Sequence, residues 1–176
     1  MCVHPLSKSR ESLCPKLSSR IAARCLLYFF DSSALVKFYV EESGALWVRS
    51  FMDTEENIIH VSSLAEVETV SALTRRLNSR DISKVEFEEA CDDLQQDFAT
   101  QYRIVALTEA IIRNAASLAR RHGLRAYDAV QLAPALDTSR VVSKVAATRL
   151  TIVSADAELN AAALAEGLNV EDPNTH

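Results

Sequence analysis

Leu27-Tyr28-Phe29-Phe30-Asp31-Ser32-Ser33-Ala34-Leu35-Val36-Lys37 is the stretch on which the fold turns. Its four leading apolar residues read as a buried β-strand, and the acid that ends the run is followed directly by a helix-forming segment. In an open parallel α/β sheet, ligands bind at the carboxyl ends of the strands. Asp31 therefore stands at the mouth of a buried strand rather than on a solvated face. Its ordinary alternative use is the N-cap of the following helix, and the position alone leaves both readings open.

Outward from this point the chain alternates strand and helix. Apolar β-rich runs at Ile58–Val61, Ile104–Leu107 and Leu150–Val153 are separated by long Ala-rich segments in which Gly and Pro are scarce, the order of an α/β fold with a parallel sheet. The pattern predicts strands at 26–31, 57–61, 102–107, 150–153 and 168–170. It predicts helices at 34–39, 44–53, 64–78, a following segment to about Phe98, 109–122 closed by Gly123, 126–136, and 157–166. Ser63 with Glu66, and Ser83 with Glu86, stand at capping-box spacing. Pro134 should kink the helix around Asp128 or end its first part, at about 3 kcal/mol for an interior position.

With 176 residues and 48% hydrophobic content, the chain suits one globular domain with a real core. A formal net charge of -5 argues against gripping nucleic acid over a broad basic surface, which depends on neutralising many phosphates. Cys2, Cys14, Cys25 and Cys91 form no C-x-x-C pair and match neither a zinc site nor a compact disulfide framework; a reduced, cytoplasmic compartment is the simple expectation. The only membrane candidate, Cys25–Phe30, is far shorter than the roughly 20 residues a span needs. Residues 1–25 differ from the rest: Lys8, Arg10, Lys16, Arg20 and Arg24 face the single acid Glu11. They read as a disordered basic leader, whether a tail that touches RNA or a partner, a targeting peptide, or a mis-called start whose true first codon lies near Leu26 or Leu27. Residues 26–173 form the domain.

Three further acids share the situation of Asp31. Asp156 follows the strand at Leu150–Val153 and has the same N-cap alternative. Asp128 lies within a helical segment where propensity gives Asp no reason to be. Glu68 lies inside a nearly all-apolar helix, flanked one turn away by Leu64, Ala65 and Ala72. Glu66, two residues earlier, has a structural job in the capping box with Ser63. Four carboxylates meeting in one cleft repel and call for a cation. Oxygen-only ligands suit Mg²⁺ or Mn²⁺, whereas thiolate or imidazole would suggest zinc. The chemistry so implied is metal-assisted phosphodiester hydrolysis.

The motifs themselves resemble those of VapC-type PIN domains. Phe29-Phe30-Asp31-Ser32-Ser33-Ala34-Leu35-Val36-Lys37 is similar to the opening motif of that family. Val61-Ser62-Ser63-Leu64-Ala65-Glu66-Val67-Glu68 with Ala72-Leu73 is similar to the second, Ala126-Tyr127-Asp128-Ala129-Val130-Gln131-Leu132-Ala133 to the third, and Val153-Ser154-Ala155-Asp156-Ala157-Glu158-Leu159 to the fourth. The resemblance runs from about Leu27 to Pro173. It implies a single PIN-like domain with a central parallel sheet flanked by helices, and an Mg²⁺- or Mn²⁺-dependent endoribonuclease whose catalytic and metal ligands are Asp31, Glu68, Asp128 and Asp156. It also implies cleavage of single-stranded or structured RNA with a 5′-phosphate retained, a homodimer, and inhibition by a cognate VapB-like antitoxin. Glu42 matches a recurrent acid of the family and is an accessory candidate.

Arg125, nearest to a predicted ligand, is the leading substrate-binding candidate. Arg75, Arg76, Arg80, Arg120 and Arg121 also flank the motifs, though as helix-terminal cations they have a structural use. Trp47, Phe51 and Tyr102 read as core or as a partner-facing surface. The alternative function is a nuclease-inactive PIN-fold module that binds RNA or protein, for which loss of acids is expected. A haloacid-dehalogenase-type phosphotransferase requires a second Asp two residues after the first, where this chain has Ser33. A receiver-like domain needs an acidic cluster and a lysine at other strand ends.

Overall fold

The structure is a computed structural model that describes residues 26–52, 54, 56–145 and 149–176. The leader expected at 1–25 lies outside the described residues, as do Cys2, Cys14 and Cys25. The elements run β1 (Leu26–Phe30), α1 (Ser32–Tyr39), α2 (Ala45–Met52), β2 (Asn57–Ser62), α3 (Ala65–Ser79), α4 (Lys84–Thr100), β3 (Arg103–Val105), α5 (Glu109–His122), α6 (Ala126–Val145), β4 (Leu150–Val153), α7 (Ala157–Ala165) and β5 (Asn169–Glu171), ending in a 3₁₀ turn, Pro173–Thr175.

All four strand pairings are parallel, in the order β3-β2-β1-β4-β5. The β1 run is apolar without alternation because both of its faces are covered. Leu27 and Phe29 point into a core built with Leu118, Leu132, Ile152 and Leu159, from α5, α6, β4 and α7. Tyr28 and Phe30 point the other way, onto Leu35, Val48, Leu94 and Phe98 from α1, α2 and α4. A smaller cluster, Val36, Val40, Leu73 and Ala90, locks α1, α3 and α4 together beside the second core. Phe30 pairs with Val61 on one side and Val153 on the other, so β1 lies at the switch point from which the chain winds in both directions. A crevice opens at such a point, at the carboxyl ends of the central strands.

Two local expectations are corrected. The Ser63–Glu66 capping box does not form: α3 has Leu64 at its N-cap with no side-chain cap bond. The Ser63 amide instead donates to Val105 O at 3.0 Å, prolonging the β2–β3 ladder, and Ser62 Oγ accepts from the Leu64 amide at 3.2 Å. The Ser83–Glu86 box at α4 is complete in both halves. In addition, α6 does not end at Pro134, one of the two outcomes expected there, but runs on to Val145. Leu132, Ala133, Ala135 and Leu136 around the proline are all buried, and this packing outweighs the missing backbone bond. Thr138 Oγ1 donates to Pro134 O at 2.8 Å in the next turn.

Candidate active site

Asp31 leaves β1 into α1 and is 5% exposed. It takes the N-cap role the sequence left open, accepting the Ser33 amide at 3.1 Å on Oδ2 at the mouth of the strand. The same oxygen accepts the hydroxyls of Ser33 at 2.5 Å and Ser154 at 3.2 Å. Ser33 Oγ in turn accepts the Ala155 amide at 2.9 Å, and Ser154 Oγ the Asp156 amide at 3.1 Å. Two serines thus stitch the end of β1 to the end of β4. Asp156 likewise caps a helix: it accepts the Leu159 amide on Oδ1 at 2.8 Å at the start of α7, in the turn that the serines hold.

Asp128 lies in the first turn of α6, and one turn further on the same helix is Gln131, 1% exposed. Gln131 Nε2 donates to Glu68 Oε2, tying α6 to α3. The second oxygen of Asp128, Oδ2, is buried with no hydrogen-bond partner.

Neighbouring charges act on two of these acids, Glu68 and Asp128. Burial pushes Asp31 above the usual carboxylate range, opposed by the hydrogen bonds from Ser33 and Ser154. Glu68 is raised first by burial, then by the charges of Asp31 and Asp128, while the Gln131 bond opposes the shift. Asp128 is raised by burial and by Asp156 and Asp31, with Arg125 pulling the other way. Asp31, Glu68, Asp128 and Asp156 are therefore brought together at the sheet mouth. Beside them lies an open cleft of about 730 Å³. Glu68 lines it directly, and Ser32, Tyr127 and Ala155, the chain neighbours of the other three acids, line it as well. Glu66 does not.

The donor set suits a hard cation on its chemistry: every donor is oxygen, the charges of neighbouring acids raise Glu68 and Asp128, and one buried oxygen is unpartnered. As they stand, however, no group of three or more His, Cys, Asp or Glu side chains among the described residues is arranged to hold a metal ion. Asp31, Glu68 and Asp156 are each engaged by local donors, with which a shared ion would compete.

Glu42 is committed elsewhere, bridging Lys37 at 2.9 Å and Arg76 at the cleft edge. Arg121 pairs with Glu166 at 2.5 Å, and Arg80 ends α3 in the left-handed region. Arg125 is exposed just ahead of α6 and does not line the cleft. Tyr102 is buried, its hydroxyl 2.6 Å from that of Tyr39, and Trp47 and Phe51 pack partly buried against the second core. Sequence reasoning did not assign roles to Ser33, Ser154 or Gln131. Their one signal is polar character in turns and helix positions beside a motif acid.

A family model described as PIN domain matches residues 28–165. The chain belongs to the PIN domain family. It is 36% identical over 110 residues to Ribonuclease VapC45 of Mycobacterium tuberculosis (strain CDC 1551 / Oshkosh), covering 62% of this chain and 75% of that protein. In fold it is similar to PAE2754 from Pyrobaculum aerophilum, with a TM-score of 0.58 at 19% identity, over 85% of this chain and 91% of the other. A toxin-antitoxin complex from Klebsiella pneumoniae gives a TM-score of 0.54 at 14% identity, over 83% of this chain and 97% of that one. The VapC-type PIN fold expected from the four motifs is the fold observed, a single five-stranded parallel sheet flanked by helices.

Proposed function

We propose that this PIN domain is an Mg²⁺- or Mn²⁺-dependent endoribonuclease, the toxin half of a toxin–antitoxin pair. The observation that carries the reading is the acidic set at the switch point of the sheet, where Glu68 feels the charges of Asp31 and Asp128 and Asp128 feels those of Asp156 and Asp31, with the Asp128 Oδ2 atom buried and unpartnered. The name of the 36% identical relative, a ribonuclease, supports RNA as the substrate class, and the toxin-antitoxin neighbour supports an antitoxin partner. Asp31, Glu68, Asp128 and Asp156 would hold the ion. When bound, it supplies neutralisation of charge developing on the scissile phosphodiester and activation of a water molecule.

The protein's own share is positional. The Ser33 and Ser154 bonds keep Asp31 aimed from the floor, and Gln131 sets the standing rotamer of Glu68. A homodimer and a cytoplasmic location belong to the same proposal. Among the described residues no helix is long and apolar enough to cross a membrane. The test is to incubate purified protein with a panel of RNAs, with and without Mg²⁺ or Mn²⁺, and to map the ends. Cation-dependent cuts bearing 5′-phosphates are expected, lost in Asp31→Asn. Cleavage that persists in EDTA, or in Asp31→Asn, would overturn it.

A further inference from the structure

The cleft beside the acids carries a second chemistry. Tyr127 is 64% exposed and is the one aromatic among the large exposed apolar residues of the described chain. It sits in the first turn of α6, immediately before Asp128, with its side chain on the cleft wall. Solvating a ring costs apolar burial that the many apolar positions of this fold avoid. The same cleft is lined by Arg75 and Arg76 from α3 and by Lys37 from α1. These three cations are not equivalent. Lys37 and Arg76 are both spent on Glu42, whereas Arg75 is exposed and its described partner is a neutral hydroxyl, Ser71 Oγ, at 3.0 Å.

A cleft of about 730 Å³ falls within the size range of small-ligand sites. An exposed ring and an exposed guanidinium free of any described carboxylate, lining one cleft, match the base and the phosphate of a nucleotide. Unpaired bases stack on aromatic side chains without regard to sequence, and phosphates take cations. Arg125 is not among the residues that line the cleft, though its charge reaches Asp128.

We propose that Tyr127 is the base-stacking platform, and Arg75 the phosphate contact, for single-stranded RNA lying in this cleft beside the four acids. The proposal rests on the nuclease reading, but its test does not depend on turnover. A short single-stranded RNA carrying 2-aminopurine is titrated with the full chain in the Asp31→Asn background with Mg²⁺, following both anisotropy and the quenching of the base. Tyr127→Ala is expected to abolish the quench and weaken binding roughly 5- to 150-fold, the range for one lost stacking contact. Tyr127→Phe keeps both. Arg75→Gln is expected to weaken all single strands alike and to lower the slope of log affinity against log salt by about one.

In the chain that keeps Asp31, Tyr127→Ala should show the same split, with KM rising more than kcat falls. A quench and affinity unchanged in Tyr127→Ala would overturn the stacking assignment. The same result with weakened capture of a purified antitoxin would give Tyr127 to a protein partner instead, and would equally overturn it. Inactivity of the wild-type protein toward every RNA would sink the nuclease reading, while the quench still decides the Tyr127 assignment.

Discussion

At the scale of single residues, the contrast between Glu66 and Glu68 is the sharpest. They stand about 200° apart around α3, and only Glu68 reaches the cleft, Gln131 and the fields of Asp31 and Asp128. Glu68→Gln should eliminate metal-dependent cleavage without lowering the melting temperature. Glu66→Gln should retain activity and change stability by no more than about 0.5 kcal/mol, because the cap that seemed to employ it is absent. Cleavage kinetics and thermal melts of the pair check this, and the reverse pattern would move the ligand to Glu66. The raised acids carry a pH signature of their own. An acid whose folded pKa lies above its unfolded value, near 4, adds stability that is complete below that value and lost as pH climbs through the folded one. Asp31, Glu68 and Asp128 are all of this kind. Melted in EDTA, Asp128→Asn should therefore exceed wild type by little near pH 4 and by progressively more toward pH 8; a gap that does not change with pH would contradict the coupling. Much of the site was readable at this scale because an acid that is both N-cap and strand-end residue is visible either way. Asp31 and Asp156 turned out to be both. Ser33 and Ser154 were not readable, since a serine in a turn declares nothing until β1 and β4 are known to be neighbours.

At the scale of elements, periodicity and caps located nearly every helix and strand, and failed where tertiary contacts overrode a local signal. Thr108 and Ser83 open their helices and Gly123 closes one, as their types suggest. The second motif shows the failure. Ser63-x-x-Glu66 has the same spacing as Ser83-x-x-Glu86, yet Ser63 gives its amide to β3 and the box never closes. Local spacing cannot report a strand that pairs from forty residues downstream. Pro134 is the opposite case, a breaker silenced by burial. The two serines provide a direct comparison: Ser83→Ala should destabilise by about 1 kcal/mol through the lost cap, and Ser63→Ala by less than about 0.5 kcal/mol. Denaturant melts read both. Equal losses would mean that the α3 cap forms in solution after all.

At the scale of the whole molecule, the chain's end ties two distant parts together, which no periodicity announces. After β5 the backbone returns across the β4–α7 turn, where Ser154 N donates to Glu171 O at 3.1 Å and Asn174 Nδ2 reaches Ala155 O at 3.5 Å. It then meets the start of α2. There His176 stacks on Trp47, ring centroids 4.2 Å apart and planes 3° from parallel. The approach is possible because residue 44 is glycine: its φ is +81°, and a Cβ would collide with the Pro173 carbonyl. The terminal turn thus braces α2 against the loop that carries Asp156. Gly44→Ala faces both a left-handed backbone and a clash with backbone rather than with a flexible side chain, so it should cost on the order of 1–3 kcal/mol. It should also lift the tail from α2. Trp47 is the single tryptophan of the chain, which makes its emission a direct report of the stack. Gly44→Ala and His176→Ala should both alter that emission, but only Gly44→Ala should lose the larger share of stability, because His176→Ala removes a surface stack and leaves the Pro173 contact in place. If Gly44→Ala melts like the wild type with unchanged tryptophan emission, the terminal turn does not rest on α2 and the brace is absent.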